Sequence, residues 1–565
     1  MAHQKLPLGT SDFKTLIDER LYYVDKTNMI ADLINGSRTT LIPRPRRFGK
    51  TLNMSMLNYF FSNHQDYRYL FDGLAISDNA EAMKHCGQYP VIFLSFKDVK
   101  QTDAQSTFNQ LSYLIAEAFD QHREILDSLP LTEIEAAMLQ SIRTQTASKE
   151  ALGSSIKILS QLIARYYQKP VIILIDEYDM PINSAYTYGF YDELVFFLRN
   201  LLSGAFKDNP VVFKGVLTGI LRIARESIFS GLNNVDVCTL TSPRYAPYFG
   251  FSENETEQLL KDYELTYEID AIRTWYNGYN VGEHTIYNPW SIISLALNNG
   301  AIAPYWLNTS DNALVRDLIA RASPLVKQEL EALLIDKSAV VRKPLNENIV
   351  FRDIDSSDDS IWNFLLFSGY LSYTKTELDQ HTGITYVNMM LPNQEVRHFY
   401  ITTILDWFKS GATTTPYDLS WILNYLLKLE FDSFCEAFEQ FAEDCFSYFD
   451  VTGKASESFY HAFVLGMLVQ LQPTHAIKSN RESGFGRYDV CLIPHDKSQT
   501  AFVFEFKKVS KRQQETLETA CAAALQQIEK KQYVTELQAL GIESVYPIAI
   551  AFESKQAMVV VASEA

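Results

Sequence analysis

Along the first 245 residues, short runs of consecutive apolar side chains alternate with longer stretches of helical spacing. The runs are Thr39–Pro43, Val91–Phe96, Val171–Ile175, Val211–Leu217 and Val237–Leu240. Val171–Ile175 is apolar at every position, the pattern of a parallel strand covered on both faces. Between the runs, Thr107–Arg123 and Ser154–Tyr167 repeat apolar residues at the helical period. Alternation of this kind predicts a doubly wound α/β domain, a parallel sheet with helices on both faces.

From Ser252 the texture changes. Ser252 followed by Glu255 predicts a capped helix start, and the chain to about Asp450 reads as mostly helical, with a hairpin over Gly369–Asn388. Three aromatic-rich turns, Trp275–Tyr279, Tyr287–Ser291 and Trp306–Ser310, punctuate it. After Ser456 the pattern predicts a helix (Glu457–Gln470), a strand (Asp489–Ile493), a turn (Pro494–Gln499) and a strand (Thr500–Lys507). A helix over about Gln514–Ala539 and a strand over Val545–Phe552 follow. The expected division is therefore 1–245, 246–450 and 451–565.

Composition bounds the class. The 565 residues are 47% hydrophobic and 21% charged, ordinary for a core-forming chain. Six scattered cysteines form no CxxC pair and are too sparse for a disulfide framework. No run of about 20 apolar residues occurs and no apolar leader follows Met1. The expectation is a cytoplasmic protein with reduced thiols and no membrane partner. A net charge of −18 argues against a surface coated for nucleic acid. The basic residues are nevertheless clustered. Residues 38–50 hold five basic side chains and no acid, and residues 478–512 hold eight Lys/Arg against four acids. Positive charge gathered in this way suits phosphate ligands.

Both clusters carry candidate chemistry. Arg44-Pro-Arg-Arg-Phe-Gly-Lys-Thr51 lies between a predicted strand and helix and matches the phosphate-loop pattern at Gly49, Lys50 and Thr51, with Arg44 where the first glycine stands. Lys50 is the candidate for the β- and γ-phosphates and Thr51 for Mg²⁺. Gly49 permits close backbone approach, and Arg47 is a further nucleotide contact. The Val171–Ile175 strand ends in Asp176-Glu177. Asp176 is a candidate for holding Mg²⁺ and Glu177 for orienting and deprotonating water. A third strand ends at Thr218, placed to sense the γ-phosphate, with Arg222 and Arg225 beyond it to stabilise developing charge.

These residues, with Leu6–Phe13, Tyr23–Thr27, Leu217–Ile220 and Ser230–Asn234, resemble the bacterial AAA-ATPase-like family over roughly residues 5–310. In that family the loop takes this arginine-rich form. The resemblance implies a P-loop NTPase-like core that binds ATP.

In the C-terminal segment, alternation puts Phe502, Phe504 and Phe506 on one face and Val503, Glu505 and Lys507 on the other. A hairpin brings Asp489 near them. Asp489 and Glu505 are candidate Mg²⁺ ligands, Lys507 a candidate for orienting water, and Glu457 an additional catalytic carboxylate. With Gly486–Asp489 this resembles the PD-(D/E)XK nuclease superfamily over about residues 455–555, and the resemblance adds Gln526 and Tyr533 on the following helix. It implies a restriction-endonuclease-like α/β domain. The function expected is ATP turnover coupled to Mg²⁺-dependent cleavage of DNA or RNA, with a homo-oligomer allowed. The alternative is a nucleotide-dependent switch whose C-terminal domain binds nucleic acid or protein without cutting.

Overall fold

The computed structural model describes residues 4–222, 235–265, 269–306, 312–336, 338–349, 354, 357–409, 420–446, 464, 467–468, 471, 474–479, 482–483, 486–487, 490–509, 515–531, 533–539, 541–553 and 556–564. It forms two units, one of residues 1–315 and 342–396, the other of residues 316–341 and 397–565.

The first unit is built on five parallel strands: β1 (Thr39–Pro43), β2 (Val91–Ser95), β3 (Val171–Asp176), β4 (Val212–Gly219) and β5 (Val235–Val237). Their order is β2-β3-β4-β1-β5. Every residue of β1 and β3 is buried, as strands covered on both faces require. The expected strand over Val211–Leu217 reaches Gly219, and the one placed at Val237–Leu240 lies earlier, at Val235–Val237. Helices at Ala104–Asp120 and Lys149–Tyr167 fill the predicted helical stretches. Because β4 is inserted between β1 and β3, the carboxyl ends of all three meet at one edge. Pro43 is in register with Gly219, and Ser95 of β2 with Asp176.

Ser252 caps the Glu253–Asp262 helix with the expected reciprocal Glu255 bond. The region beyond is less uniformly helical than its pattern suggested. A small hairpin, β6 (Tyr279–Val281) with β7 (His284–Ile286), follows the Trp275–Tyr279 turn. A second sheet, in the order β8-β10-β9, joins β8 (Val341–Pro344) to the expected hairpin of β9 (Ser372–Leu378) and β10 (Thr385–Met390).

The second unit carries a mixed sheet in the order β11-β14-β15-β16-β17. Its strands are β11 (His475–Ser479), β14 (Val490–Pro494), β15 (Ala501–Lys508), β16 (Val545–Glu553) and β17 (Gln556–Val561), with a short pair, β12 (Glu482–Ser483) and β13 (Gly486–Arg487), between β11 and β14. β14 and β15 are antiparallel, and β15 and β16 parallel. Phe502, Phe504 and Phe506 pack into one core with Phe434, Phe438 and Phe441 of the Phe431–Phe446 helix. Val503 enters a separate core with Ile528. The alternation read from the sequence is therefore what divides the two faces of β15. The long helix expected over Gln514–Ala539 is two helices, Leu517–Lys530 and Tyr533–Ala539. Among the described residues no helix is long and apolar enough to cross a membrane.

Candidate functional site

The phosphate loop begins where β1 ends. Arg44 is fully buried, and its guanidinium donates to the carbonyls of Pro43 (2.8 Å), Cys238 (2.7 Å) and Thr239 (3.1 Å). It also packs over the Phe249 ring. Burial pulls its pKa down to about 10, still well above neutrality. The arginine that replaces the first glycine therefore works as an internal strut, binding the loop's start to the chain beyond β5. Arg44→Gly, which restores the commoner pattern, is expected to destabilise the fold. It strips the donor from three carbonyls, each worth about 1–3 kcal/mol when left unsatisfied. A melting temperature lowered by several degrees is the expected measurement; an unchanged one contradicts the strut.

The loop turns through two left-handed residues, Arg47 (φ +70°) and Gly49 (φ +83°). At Gly49 the absence of a side chain makes that conformation accessible at little cost. The Lys50–Phe61 helix starts directly after it. Lys50 is buried, and its ammonium donates to the carbonyls of Arg44 (3.0 Å) and Pro45 (2.8 Å) inside the loop. Burial lowers its pKa, while Glu177, Asp176 and Asp179 oppose the shift.

A cavity of about 550 Å³ opens over this loop. Arg46, Arg47, Gly49, Lys50, Thr51 and Glu177 line it. Glu177 stands at the end of β3 in a left-handed conformation (φ +52°). Burial raises its carboxyl pKa, partly countered by Lys50. Asp176 and Thr218 lie behind the cavity wall, both fully buried, with the Thr218 hydroxyl donating to Asp176 Oδ1 at 2.6 Å. Among the described residues, Asp176 Oδ2 has no hydrogen-bond partner. A buried carboxylate oxygen left this way is costly unless a cation or water completes it, so the Asp176 site fits a hard cation such as Mg²⁺.

Arg222 departs from its expected role. It pairs with Glu347 at 3.8 Å and does not line the cavity. Glu347 also accepts from Thr239 and Thr241. Arg225 and Ser230–Asn234 lie outside the described residues. Arg47 lines the cavity with its guanidinium 4.1 Å from the centre of the Trp290 ring, a cation–π stack.

Several residues at this edge were not singled out from sequence. Asp179, in the same acidic run as Asp176, is buried and accepts from the backbone of Ile220 (2.7 Å) and Leu221 (3.0 Å). Tyr178 donates to the Leu221 carbonyl. Together they fix the turn after β4, and Gly219 is required there: a Cβ would stand 2.6 Å from Asp179 Oδ1. The Tyr287–Ser291 turn also acquires a place. Asn288 caps the Pro289–Leu297 helix and Trp290 joins the cavity wall. Ser291 donates to buried Glu395 (2.8 Å), which also accepts from the Trp306 backbone (2.7 Å). Burial pushes the Glu395 carboxyl up to about 7.

In the second unit Glu505 is buried on the face of β15 that packs towards the Leu517–Lys530 helix. Lys507, on the same face, comes to 3.6 Å from it. Gln527 joins them, accepting from Lys507 (2.7 Å) and donating to Glu505 Oε1. The helix register thus gives the bridging position to Gln527, while Gln526 is exposed. Asp489 and Glu457 lie outside the described residues, as does the Tyr533 side chain. Among the described residues, Glu505 is the one candidate metal ligand of this set.

Residues 7–229 match the family model described as a predicted AAA-ATPase, and residues 455–562 match that of the PD-(D/E)XK nuclease superfamily. The chain is 25% identical to an uncharacterized protein in the vnfD 5′ region of Azotobacter chroococcum mcd 1, over 99% of this chain and 98% of that one. Among solved structures, a Walker-type ATPase of Pyrococcus abyssi aligns with 70% of this chain and 98% of its own, at 12% identity and a TM-score of 0.34. A STAND protein with a tetratricopeptide repeat sensor from Pyrococcus horikoshii aligns over 79% and 53%, at 13% identity and a TM-score of 0.27. By its two family matches the chain joins a predicted AAA-ATPase segment to a PD-(D/E)XK nuclease superfamily segment.

Proposed function

We propose that the first unit binds and hydrolyses ATP and that the C-terminal segment cleaves phosphodiester bonds of DNA or RNA. The observation that carries the first half is the convergence of Lys50, Glu177 and the under-coordinated Asp176 on one sheet edge, beneath a cavity large enough for a nucleotide. Lys50 binds the β- and γ-phosphates, exchanging loop carbonyls for phosphate oxygens. Thr51 and Asp176 are the residues that would hold Mg²⁺, whose charge, when bound, offsets that of the phosphates. Glu177 orients the attacking water and accepts its proton. Thr218 fixes the orientation of Asp176.

Glu177 must be ionised to accept that proton, and its pKa is raised. Turnover is therefore expected to fall, as pH drops, at a pH above the ordinary glutamate range. Glu177→Gln should keep ATP binding, lose about 10²–10³-fold in turnover, and lose that acid limb. Phosphate release across pH, beside direct ATP binding, checks this. Wild-type turnover by Glu177→Gln would remove it from the base role.

In the C-terminal segment Glu505 and Asp489 would hold Mg²⁺, which when bound polarises the phosphate and activates water. Lys507, held by Gln527, positions water or stabilises charge beside Glu505. The family match and the Glu505–Lys507–Gln527 cluster support this half.

A further inference from the structure

The cavity over Lys50 carries more positive charge than the phosphate loop itself supplies. Among the described residues, six cationic side chains line it, Lys26, Arg46, Arg47, Lys50, Lys97 and Lys100, against one carboxylate, Glu177. Lys26 is already bound by Glu255, at 2.5 and 2.7 Å to its two oxygens. Arg46, Arg47 and Lys50 belong to the loop. Lys97 and Lys100 remain.

These two lysines follow β2, at the same carboxyl edge as Asp176. Both are exposed, and among the described residues neither ammonium has an ion-pair partner. Asp98 lies between them in sequence but is not part of the cavity lining. The same rim carries Tyr188, the last residue of the Met180–Tyr188 helix. Its side chain is 53% exposed, and among the described residues its ring stacks on no other. Two free ammonium groups beside an open aromatic face form the combination that holds a single strand, with phosphates on the lysines and a base on the ring.

We propose that this rim binds single-stranded nucleic acid at the mouth of the cavity. The inference rests on the cavity being a nucleotide site and adds a second phosphate-bearing ligand to it. A duplex is the poorer fit, because its base faces are already stacked on one another and offer nothing to Tyr188.

The test uses the full chain with fluorescent oligomers of dT and rU of about 20 nucleotides, longer than the roughly 4–16 nucleotides a single-strand site covers. It also uses 4-thiothymidine-labelled strands cross-linked to the wild-type protein and mapped by mass spectrometry. Lys97→Glu with Lys100→Glu should weaken single-strand binding at least about tenfold and reduce the log–log salt slope by about 1.4, roughly 0.7 per lost phosphate contact on a single strand. Tyr188→Ala should weaken it about fivefold or more. Cross-links are expected on residues 97–100 or 183–188. Tighter dT or rU binding identifies which strand the rim takes, and either supports the proposal. Cross-links confined to other segments, unchanged affinity in both variants, or duplex bound as tightly as single strand would overturn it. Binding of a fluorescent ATP analogue by wild type is scored in parallel. Nucleotide binding without rim cross-links sinks this inference alone. Rim cross-links without nucleotide binding keep the strand site and sink the nucleotide reading.

Discussion

Lys50→Ala is expected to abolish measurable ATP turnover, a loss of about 10²–10³-fold or more. The ammonium is buried and already held at 2.8–3.0 Å by two loop carbonyls, so the loop presents a positioned charge. Alanine removes that charge where the transferring phosphoryl group needs it, in a partly desolvated cavity in which electrostatic interactions are strong. The same change leaves the Arg44 and Pro45 carbonyls without their donor but also relieves the burial of a cation, so the fold should survive with a modestly lowered melting temperature. Phosphate release measured beside a thermal melt separates the two effects. Wild-type turnover in the variant would remove the loop from the chemistry.

Glu505→Gln is expected to lower metal-dependent cleavage of nucleic acid by more than about a hundredfold. Glutamine keeps the size of the side chain and its bond to Gln527, but it removes the negative charge that would bind the cation. Lys507 would then stand beside a neutral amide on a buried face, with Gln527 still accepting from it. A panel of single-stranded DNA, duplex DNA and RNA with Mg²⁺ or Mn²⁺, with and without ATP, checks the result. Cleavage lost only in the variant supports the role. Equal cleavage by both proteins would assign it to another site.

Much of this architecture is legible in the sequence because its signals are local. Val171–Ile175 reads as a buried strand since both faces are covered, and the Phe502/Val503 alternation reads as two faces since each enters a different core. The phosphate loop, Asp176 and Glu177 follow from short motifs at strand ends. What escaped depends on distant partners or on helix register. Arg222 looks like a cavity arginine until Glu347, far along the chain, takes it. Arg44 reads only as a departure from the first glycine of the loop pattern until the carbonyls of Cys238 and Thr239 receive it. Gln527 and Gln526 are adjacent, and a step of about 100° around the helix decides which one meets Glu505. The β6–β7 hairpin escaped because its strands are three residues each, too short for a period to declare itself.

The central claim is that the cavity over Lys50 is a Mg·ATP site. Isothermal titration of ATP into the purified full chain, with Mg²⁺ and then with excess chelator, tests it most directly. The account predicts saturable binding of one ATP per chain that tightens when Mg²⁺ is present. No binding under either condition, or equal affinity with and without Mg²⁺, would contradict it.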